Sequence, residues 1–272
     1  MGTMVNRYET NQQVKTFHNV ICKDDLIKEL KTIGLSRGMI VYVEMALQDT
    51  YINGKEQTVI EALEHVIGYE GTMVVPAFSN DSQDPACRRD VQFEKDVYQQ
   101  LRYSNPLFHK KRTPANNELA NQLMRNDGVY RSNHPTHSCL AWGKYAKLFC
   151  DKHPLHFPLG RDSFLDKLSL MNGYVLLLGS DFSNSDILAH ALSLTMNGVV
   201  KIVSAAIDKK GNGEFVEFLD MVYEDMHGKE IMAMMKEREV VKTFYLGNTC
   251  CHLFKAKEAC DLAIAYYQTM GK

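Results

Sequence analysis

Two hydrophobic patterns alternate along the chain, one with the period of a helix and one typical of short buried strands. Apolar runs between turn residues predict strands at Met39–Val43, Gly71–Pro76 and Tyr174–Leu178. Apolar residues spaced three and four apart predict helices at 23–33, 57–66, 116–125, 145–150, 229–237 and 256–270. Because helices alternate with short strands, we expect an α/β fold with a largely parallel central sheet and helices around it.

Residues 79–113 interrupt this alternation. They are rich in Asp, Gln, Arg and Lys, and they predict a single helix near Glu94–Leu101. We interpret this stretch as an inserted helical segment that covers one mouth of the sheet. Residues 1–22 are polar and mixed and are predicted to form a loose N-terminal arm. Residues 23–272 are predicted to form one domain that carries the insertion.

Two hairpins are predicted in the C-terminal third of the chain. The strand-like segments Val199–Ala206 and Gly213–Leu219 flank residues 208–213, which carry a strong turn signal. Further strand-like runs lie within Val241–Phe254 on either side of Gly247–Asn248.

Composition excludes several classes of protein. The 272 residues are 45% hydrophobic and 24% charged, which is ordinary for a soluble globular chain. The net charge of -2 gives no polycationic surface, so nucleic acid is not the expected partner. No apolar run approaches the ~20 residues that span a bilayer, so no membrane association is expected. The seven cysteines form no CxxC motif and are expected to be reduced thiols in a cytoplasmic protein; no motif predicts a metal site.

The stretch from Tyr174 to Leu192 is where we expect a ligand. A buried strand leads into a polar loop and then into the start of a helix, whose free backbone N–H groups can bind an anion or a polarised oxygen. Asp186 and His190 are four residues apart, so they share one helical face. They form a candidate catalytic pair in which the carboxylate orients the imidazole. The alternative is a capping aspartate and a partly buried histidine.

Five motifs occur in a characteristic order: Arg131–Ser138, Ala141–Gly143, His153–Gly160, Ser163–Leu168 and Val175–Gly179. With these motifs in this order, the chain resembles the aminoglycoside 3-N-acetyltransferase family, including its prophage-type bacillary members, over roughly residues 24 to 268. The resemblance implies an α/β fold that differs from the GNAT acetyltransferases, with acetyl-CoA as the cosubstrate.

The reaction implied by the resemblance moves an acetyl group from a thioester to an amine of an aminocyclitol antibiotic. Such chemistry requires a base for the amine and donors for the oxyanion. The resemblance implies cofactor contacts at Ala46, Leu47, Thr113, Asn116 and Ser183, and substrate contacts at Asp84 and His134. For the last two the residues leave structural alternatives open. An Asp-Pro sequence also starts ordinary turns, and His134 can fix a turn through its ring nitrogens.

The sequence departs from the implied family pattern at three places, one of which is Asn116–Leu119, where the family normally carries Met-Gly at a close-approach site. Glu44–Met45–Ala46 stands where the family carries hydroxyl side chains that are implied to contact coenzyme A. In an ungapped register Ala189 takes the place of the implied catalytic histidine, and His190 follows one residue late. One residue rotates a side chain by ~100° around a helix, so the direction of His190 becomes decisive.

Three functions therefore remain open. The first is an acetyl-CoA-dependent N-acetyltransferase of an aminoglycoside-like or other small-molecule amine. The second is a catalytically impaired relative that acts as a binding or regulatory protein. The third is an acyltransferase that uses another acyl donor, since the coenzyme-facing loop is altered most. The chain is also a possible homo-oligomer.

Overall fold

The computed structural model describes residues 17, 20–47, 50–88, 92–209 and 212–270. The strands in these ranges are β1 (Val20–Ile21), β2 (Ile40–Met45), β3 (Tyr51–Ile52), β4 (Thr72–Pro76), β5 (Tyr130–Arg131), β6 (Cys139–Gly143), β7 (Tyr174–Leu178), β8 (Val200–Lys209), β9 (Asn212–Met221), β10 (Val241–Leu246) and β11 (Thr249–Lys255). The helices are α1 (Lys23–Thr32), α2 (Lys55–Ile67), α3 (Lys95–Ser104), α4 (Glu118–Leu123), α5 (Ala146–Cys150), α6 (Phe164–Leu170), α7 (Asp186–Thr195), α8 (Gly228–Glu237) and α9 (Ala256–Met270). The α/β fold class is confirmed.

A seven-stranded sheet forms the centre of the fold, with the strand order β10-β11-β7-β2-β4-β6-β5. The three middle strands β7, β2 and β4 are parallel, as the helical connections predict. Every other neighbouring pair in this sheet is antiparallel, so the sheet is mixed and the expectation of a largely parallel sheet is corrected. One reason is local. Only Gly247 and Asn248 separate β10 from β11, and a two-residue loop permits only antiparallel pairing.

Both faces of the sheet are buried, because side chains alternate along each strand. On β2, Tyr42 packs into the core beneath α6, α7 and α9. Its neighbours Val41 and Val43 point the other way, into a second core beneath α1, α2 and α4. Three layers therefore hold the central strands rigidly, and the loops at the strand ends are left to carry a site.

The insertion is fixed to the hairpin β8–β9, which forms its own two-stranded sheet. Asp84 N–H donates to the Ser204 carbonyl at 2.8 Å, and Ala206 N–H donates to the Ser82 carbonyl at 2.7 Å. Phe108 N–H adds a third bond to the Ala206 carbonyl. The insertion and the hairpin thus form one assembly beyond the end of β4.

The end of the predicted N-terminal arm belongs to the fold. Val20–Ile21 forms β1 and pairs in parallel with β3. The earlier part of the arm, residues 1–16 and 18–19, lies outside the described residues, as does part of the predicted turn at 210–211. Within the described ranges, no helix combines the length and apolar character that crossing a membrane requires.

Arg131 joins the sheet to the end of the insertion. Its guanidinium is buried and donates to Ser138 Oγ and to the Ala77 carbonyl, both at 2.9 Å, and to the Thr113 carbonyl. Burial lowers the pKa of this arginine to about 10. The side chain thereby satisfies two carbonyl groups in segments that belong to no strand.

Replacing Arg131 by Met is expected to lower the free energy of unfolding by about 3 kcal/mol, because the Thr113 carbonyl loses its arginine donor and the Ala77 carbonyl keeps only the one from Ser138 Oγ. Urea denaturation of the purified variant measures this loss. The exposed Arg125 provides the matched control, and Arg125→Met is expected to change stability by less than about 0.5 kcal/mol. Equal losses in the two variants would show that Arg131 does not have this joining role.

Candidate functional site

The three parallel strands end at one edge of the sheet, and two cavities open there. The first lies at the ends of β2 and β7, beside the turn of β10–β11 and the start of α8; it measures about 550 Å³ and is called the β7 cavity here. The second lies beyond β4, between the insertion, the residues before β6 and the hairpin β8–β9; it measures about 590 Å³ and is called the β4 cavity. The carboxyl edge of parallel strands is the usual place for ligands in an open α/β sheet.

Two of the five predicted cofactor residues, Ala46 and Ser183, line the β7 cavity. Leu47 lines a separate, smaller cavity of about 210 Å³ beside α2. Thr113 and Asn116 lie elsewhere. Thr113 Oγ1 accepts a bond from His109 N–H at 2.8 Å, and Asn116 N–H donates to the Phe78 carbonyl at 2.7 Å. The structure therefore does not bring the five residues together, and only the two that follow β2 and β7 share a cavity.

A carboxyl pair, of which Glu44 is buried and Asp186 half-buried, lies between the end of β2 and the start of α7. Tyr42 and Glu44 are two residues apart on one face of β2, and both reach the first turn of α7. Tyr42 Oη donates to Asp186 Oδ2 at 2.5 Å. Glu44 Oε1 accepts from Ser185 Oγ at 2.8 Å and from Asp186 N–H at 3.1 Å. Glu44 thus caps the helix and does not present its charge to the β7 cavity.

Burial raises the pKa of both acids. Removal from water raises the pKa of Glu44 well above its ordinary value, and the nearby Asp186 charge adds to this effect. Burial raises the pKa of Asp186 to about 6, against the hydrogen bond from Tyr42, which favours its ionised form. The pKa of Tyr42 is raised by burial and then by the charge of Asp186. The pair is therefore a protonatable unit that joins β2 to α7.

The predicted pairing of Asp186 with His190 is wrong. Asp186 bonds to Tyr42, whereas His190 is fully buried and its Nδ1 lies 2.6 Å from the Leu159 carbonyl. Burial lowers the pKa of this imidazole. His190 also borders a small cavity of about 140 Å³ beside α9, away from the two cavities at the strand ends. The loop before α6 supplies a carbonyl that the helical spacing alone does not reveal.

Asp84 does not present a free carboxylate to an amine, which corrects its predicted role in substrate binding. Arg102 on α3 donates through Nε to both carboxylate oxygens at 3.0 Å, and Asp84 Oδ1 also accepts from Ala86 N–H. The carboxylate is buried and neutralised, so it anchors α3 to the turn at Pro85–Cys87.

His134 is likewise a structural residue rather than a substrate contact. It is fully buried, and its Nε2 lies 3.1 Å from the Leu155 carbonyl. Its Nδ1 accepts from the N–H groups of Thr136 and His137, at 3.2 and 2.9 Å. Both ring nitrogens are used by backbone groups, which confirms the alternative in which the ring fixes a turn. Burial lowers the pKa of this histidine well below its ordinary value.

The wall of the β4 cavity contains a group that sequence reasoning missed. Asp220, on β9, is fully buried and lies beside His137 and Lys201. The predicted strand ended at Leu219, two residues before the observed end of β9 and just short of Asp220, and the second histidine of the His-Pro-Thr-His sequence was not singled out. The available signal was an acidic residue next to the apolar end of a strand. No set of three or more metal-ligating side chains is present in the part of the chain that the structure describes.

The raised pKa of Asp186 predicts a pH-dependent stability. A buried acid with a raised folded-state pKa contributes stability below its unfolded pKa of about 4, and this contribution is lost as pH rises through about 6. Asp186→Asn removes this titration. The free energy of unfolding of the variant relative to wild type is therefore expected to rise between pH 4 and 7, by at most about 3 kcal/mol. Urea unfolding across this range measures the difference.

The exposed Asp127 supplies the control for this experiment, because Asp127→Asn is expected to give a difference that hardly varies with pH. A pH-independent difference for Asp186→Asn as well would contradict the assignment of a raised pKa to this carboxyl.

Comparison with known proteins places this geometry in a family. The family model described as aminoglycoside 3-N-acetyltransferase matches residues 45–268. The SPbeta prophage-derived aminoglycoside N(3')-acetyltransferase-like protein YokD of Bacillus subtilis (strain 168) is 32% identical over 90% of this chain and 92% of its own length. The crystal structure of YokD superposes with a TM-score of 0.85 and 29% identity, and the match covers 92% of this chain and 94% of that one.

Two further solved structures agree with this placement. The aminoglycoside acetyltransferase AAC(3)-Xa has a TM-score of 0.82 at 26% identity, over 91% of this chain and 92% of its own. A structure described as AAC-IIIb binary with CoASH has a TM-score of 0.83 at 20% identity, over 93% and 98%, and supports the fold alone. The match to the family model and the near-complete coverage of these relatives lead to one conclusion: the chain belongs to the aminoglycoside 3-N-acetyltransferase family.

Proposed function

We propose that the protein is an acetyl-CoA-dependent N-acetyltransferase that acts on a primary amine of an aminoglycoside-like or other small molecule. The observation that carries this proposal is the presence of two cavities at one edge of the sheet, one of which has a buried carboxylate in its wall. A transfer between two substrates needs two adjoining sites, and a cationic amine favours a carboxylate.

The β7 cavity is the proposed site of the acyl donor. The ten-residue helix α8 begins at this cavity, and the N–H groups of its first turn and the Lys229 ammonium favour an anionic ligand. Gly228 permits the start of α8 to lie close to Ser183, because a Cβ at this position would lie 2.3 Å from Ser183 Cα. The Ala46 N–H is already donated to the Leu178 carbonyl, so Ala46 offers only apolar contact. The family to which the chain belongs is described as an acetyltransferase family, which favours acetyl-CoA as the cosubstrate.

The reaction requires a neutral amine at the thioester carbonyl. The amine nitrogen forms a C–N bond, the C–S bond of the thioester breaks, and coenzyme A leaves as a thiol after receiving a proton. The substrate therefore gives up one proton on becoming an amine and another as it attacks. Glu44 is turned away from the β7 cavity by its bonds to Ser185 and the Asp186 N–H, and its raised pKa favours the neutral form, so it adds little charge to repel the donor.

Isothermal titration calorimetry with acetyl-CoA tests the proposal first, and a thiol-release assay with a panel of aminoglycosides follows. We expect binding with a dissociation constant below about 1 mM, and thiol release with at least one amine. Absence of acetyl-CoA binding at millimolar concentration would remove the proposed activity. Binding without thiol release across the panel would instead favour the alternative of a catalytically impaired relative.

Cysteine labelling gives a test of the donor site that does not depend on turnover. Cys250 is exposed and lines the β7 cavity, whereas Cys22 is exposed at the start of α1. Acetyl-CoA is expected to slow alkylation of Cys250 by about tenfold and to leave Cys22 unaffected, as measured by peptide mass spectrometry. Equal protection of both cysteines, or of neither, would place the donor elsewhere.

A charge reversal tests the same site by affinity. Lys229→Glu puts a carboxylate beside the start of α8 and is expected to weaken acetyl-CoA binding by about tenfold, because the phosphates of the ligand lose an attractive charge and meet a repulsive one. Lys147→Glu, an exposed change on α5, is the control and should bind as wild type does. An unchanged dissociation constant in Lys229→Glu would contradict this site.

A further inference from the structure

A histidine and a carboxylate face each other across a short gap in the wall of the β4 cavity. His137 Nε2 lies 3.8 Å from Asp220 Oδ2, which is too far for a direct hydrogen bond. The side chain of Asp220 is 1% exposed and that of His137 is 18% exposed. The pair is reached from a cavity of about 590 Å³, so a small polar group can enter beside the histidine.

One oxygen of Asp220 is saturated and the other is not. Oδ1 accepts from the Met221 N–H at 2.8 Å and from Tyr223 Oη at 2.9 Å. Oδ2 is buried and has no hydrogen-bond partner among the described residues. A buried carboxylate oxygen without a donor is costly, so this atom favours a cationic donor from a ligand. The Lys201 ammonium lies 3.9 Å from it, close enough for attraction and too far for a hydrogen bond.

His137 is held in place from three sides. Its Nδ1 lies 2.9 Å from Thr136 Oγ1, and its ring packs edge-on against Phe78 with the ring centres 4.9 Å apart. Its backbone N–H is bound by His134. With Nδ1 and one ring face fixed in this way, Nε2 is directed at the gap in front of Asp220.

We propose that the acceptor amine binds in this gap, with its nitrogen between His137 Nε2 and Asp220 Oδ2, and that His137 is the base of the acetyl transfer. A nitrogen about 2.9 Å from both atoms fits a separation of 3.8 Å. Lys201 then acts as an internal competitor, since its ammonium lies beside the same carboxylate oxygen. This inference rests on the proposed function and adds to it the amine site and the base.

The proton balance of this step is complete. The substrate binds beside Asp220 as an ammonium and releases one proton to solvent before the attack, which leaves the neutral amine in place. As its nitrogen attacks the thioester carbonyl, a second N–H proton passes to His137 Nε2. The C–S bond then breaks, and the coenzyme A thiolate takes that proton from the imidazolium. Asp220 stabilises the imidazolium electrostatically while the ring is charged, and His137 returns to its neutral form once the thiolate has taken the proton.

The position of this pair also accounts for the missing histidine on α7. Ala189 occupies the place where the resemblance implies the catalytic imidazole, and Ser193 follows it four residues later on the same helical face. Ser193 Oγ lies 3.0 Å from Tyr223 Oη, which in turn donates to Asp220. Asp220 is thus connected by hydrogen bonds to the face of α7 that carries Ala189. His137 therefore lies beside the carboxylate at which this chain of hydrogen bonds ends.

Binding of a diamine tests the amine site without turnover. Calorimetry with 2-deoxystreptamine, an aminocyclitol diamine, is expected to show binding by wild type and about tenfold or more weakening in Asp220→Asn. Lys201→Met is expected to strengthen binding about threefold or more, because it removes the competing ammonium. Lys147→Met is the surface control and should match wild type. Circular dichroism and thermal unfolding confirm that each variant is folded.

Turnover tests the base. His137→Ala is expected to lower kcat by about 10² to 10⁴, with the acetyl-CoA dissociation constant unchanged. Added imidazole is expected to restore part of the rate, which a purely structural role of His137 would not allow. His65→Ala, an exposed change on α2, is the control and should keep the wild-type rate.

The outcomes separate this inference from the proposed function. If wild type binds acetyl-CoA and acetylates an amine while His137→Ala keeps its rate, the base is elsewhere and only this inference fails. If wild type does not bind the diamine, or if Lys201→Met binds it no better and Asp220→Asn no worse, the amine site is wrong. If acetyl-CoA does not bind, the proposed function fails, and the diamine titrations still decide the amine site.

Discussion

The hydrogen bonds between β2 and the first turn of α7, called the β2–α7 joint here, fix the position of this helix at the carboxyl edge of the sheet. Glu44 accepts from Ser185 and from the Asp186 N–H, and Tyr42 donates to the Asp186 carboxyl. One strand thereby orients the first turn of a helix whose later residues reach the β4 cavity through Ser193 and Tyr223. Because Tyr42 and Glu44 lie on the central strand, any shift of α7 would break a buried bond to Ser185 and two partly buried bonds to Asp186.

The same joint explains why Glu44 is tolerated at a position where the resemblance implies hydroxyl groups that contact coenzyme A. A free carboxylate facing phosphates would oppose binding, but this one is turned inward, held by two donors and favoured in its protonated form. The substitution therefore exchanges a ligand contact for an internal helix cap. What remains for a ligand at the β7 cavity is the start of α8, Lys229 and the small residues after β7.

Local patterns predicted the elements well and the contacts between them poorly. The strand at Tyr174–Leu178 and the helix at 256–270 were predicted at their observed bounds, because periodicity and bounding glycines are local signals. The antiparallel direction of the outer strands of the sheet was not predicted, since strand pairing depends on loop geometry. His190 looked catalytic because its spacing from Asp186 is helical, yet a carbonyl from another segment binds it. His137 and Asp220 lie 83 residues apart in the chain (220 − 137), and only the docking of the hairpin brings them together.

The hairpin β8–β9 has a consequence for how the proposed acceptor site can change between members of the family. It pairs with no strand of the main sheet, and its backbone bonds run to the insertion and, through the Leu219 carbonyl and the Phe157 N–H, to the segment before α6. It nevertheless carries Lys201 and Asp220 to the cavity wall. Met221 of β9 packs in the core, so that end of the ribbon is constrained, whereas the Lys201 side chain is 35% exposed and can be exchanged without disturbing the core. The proposed acceptor site can therefore change at Lys201 while the folding of the domain is kept.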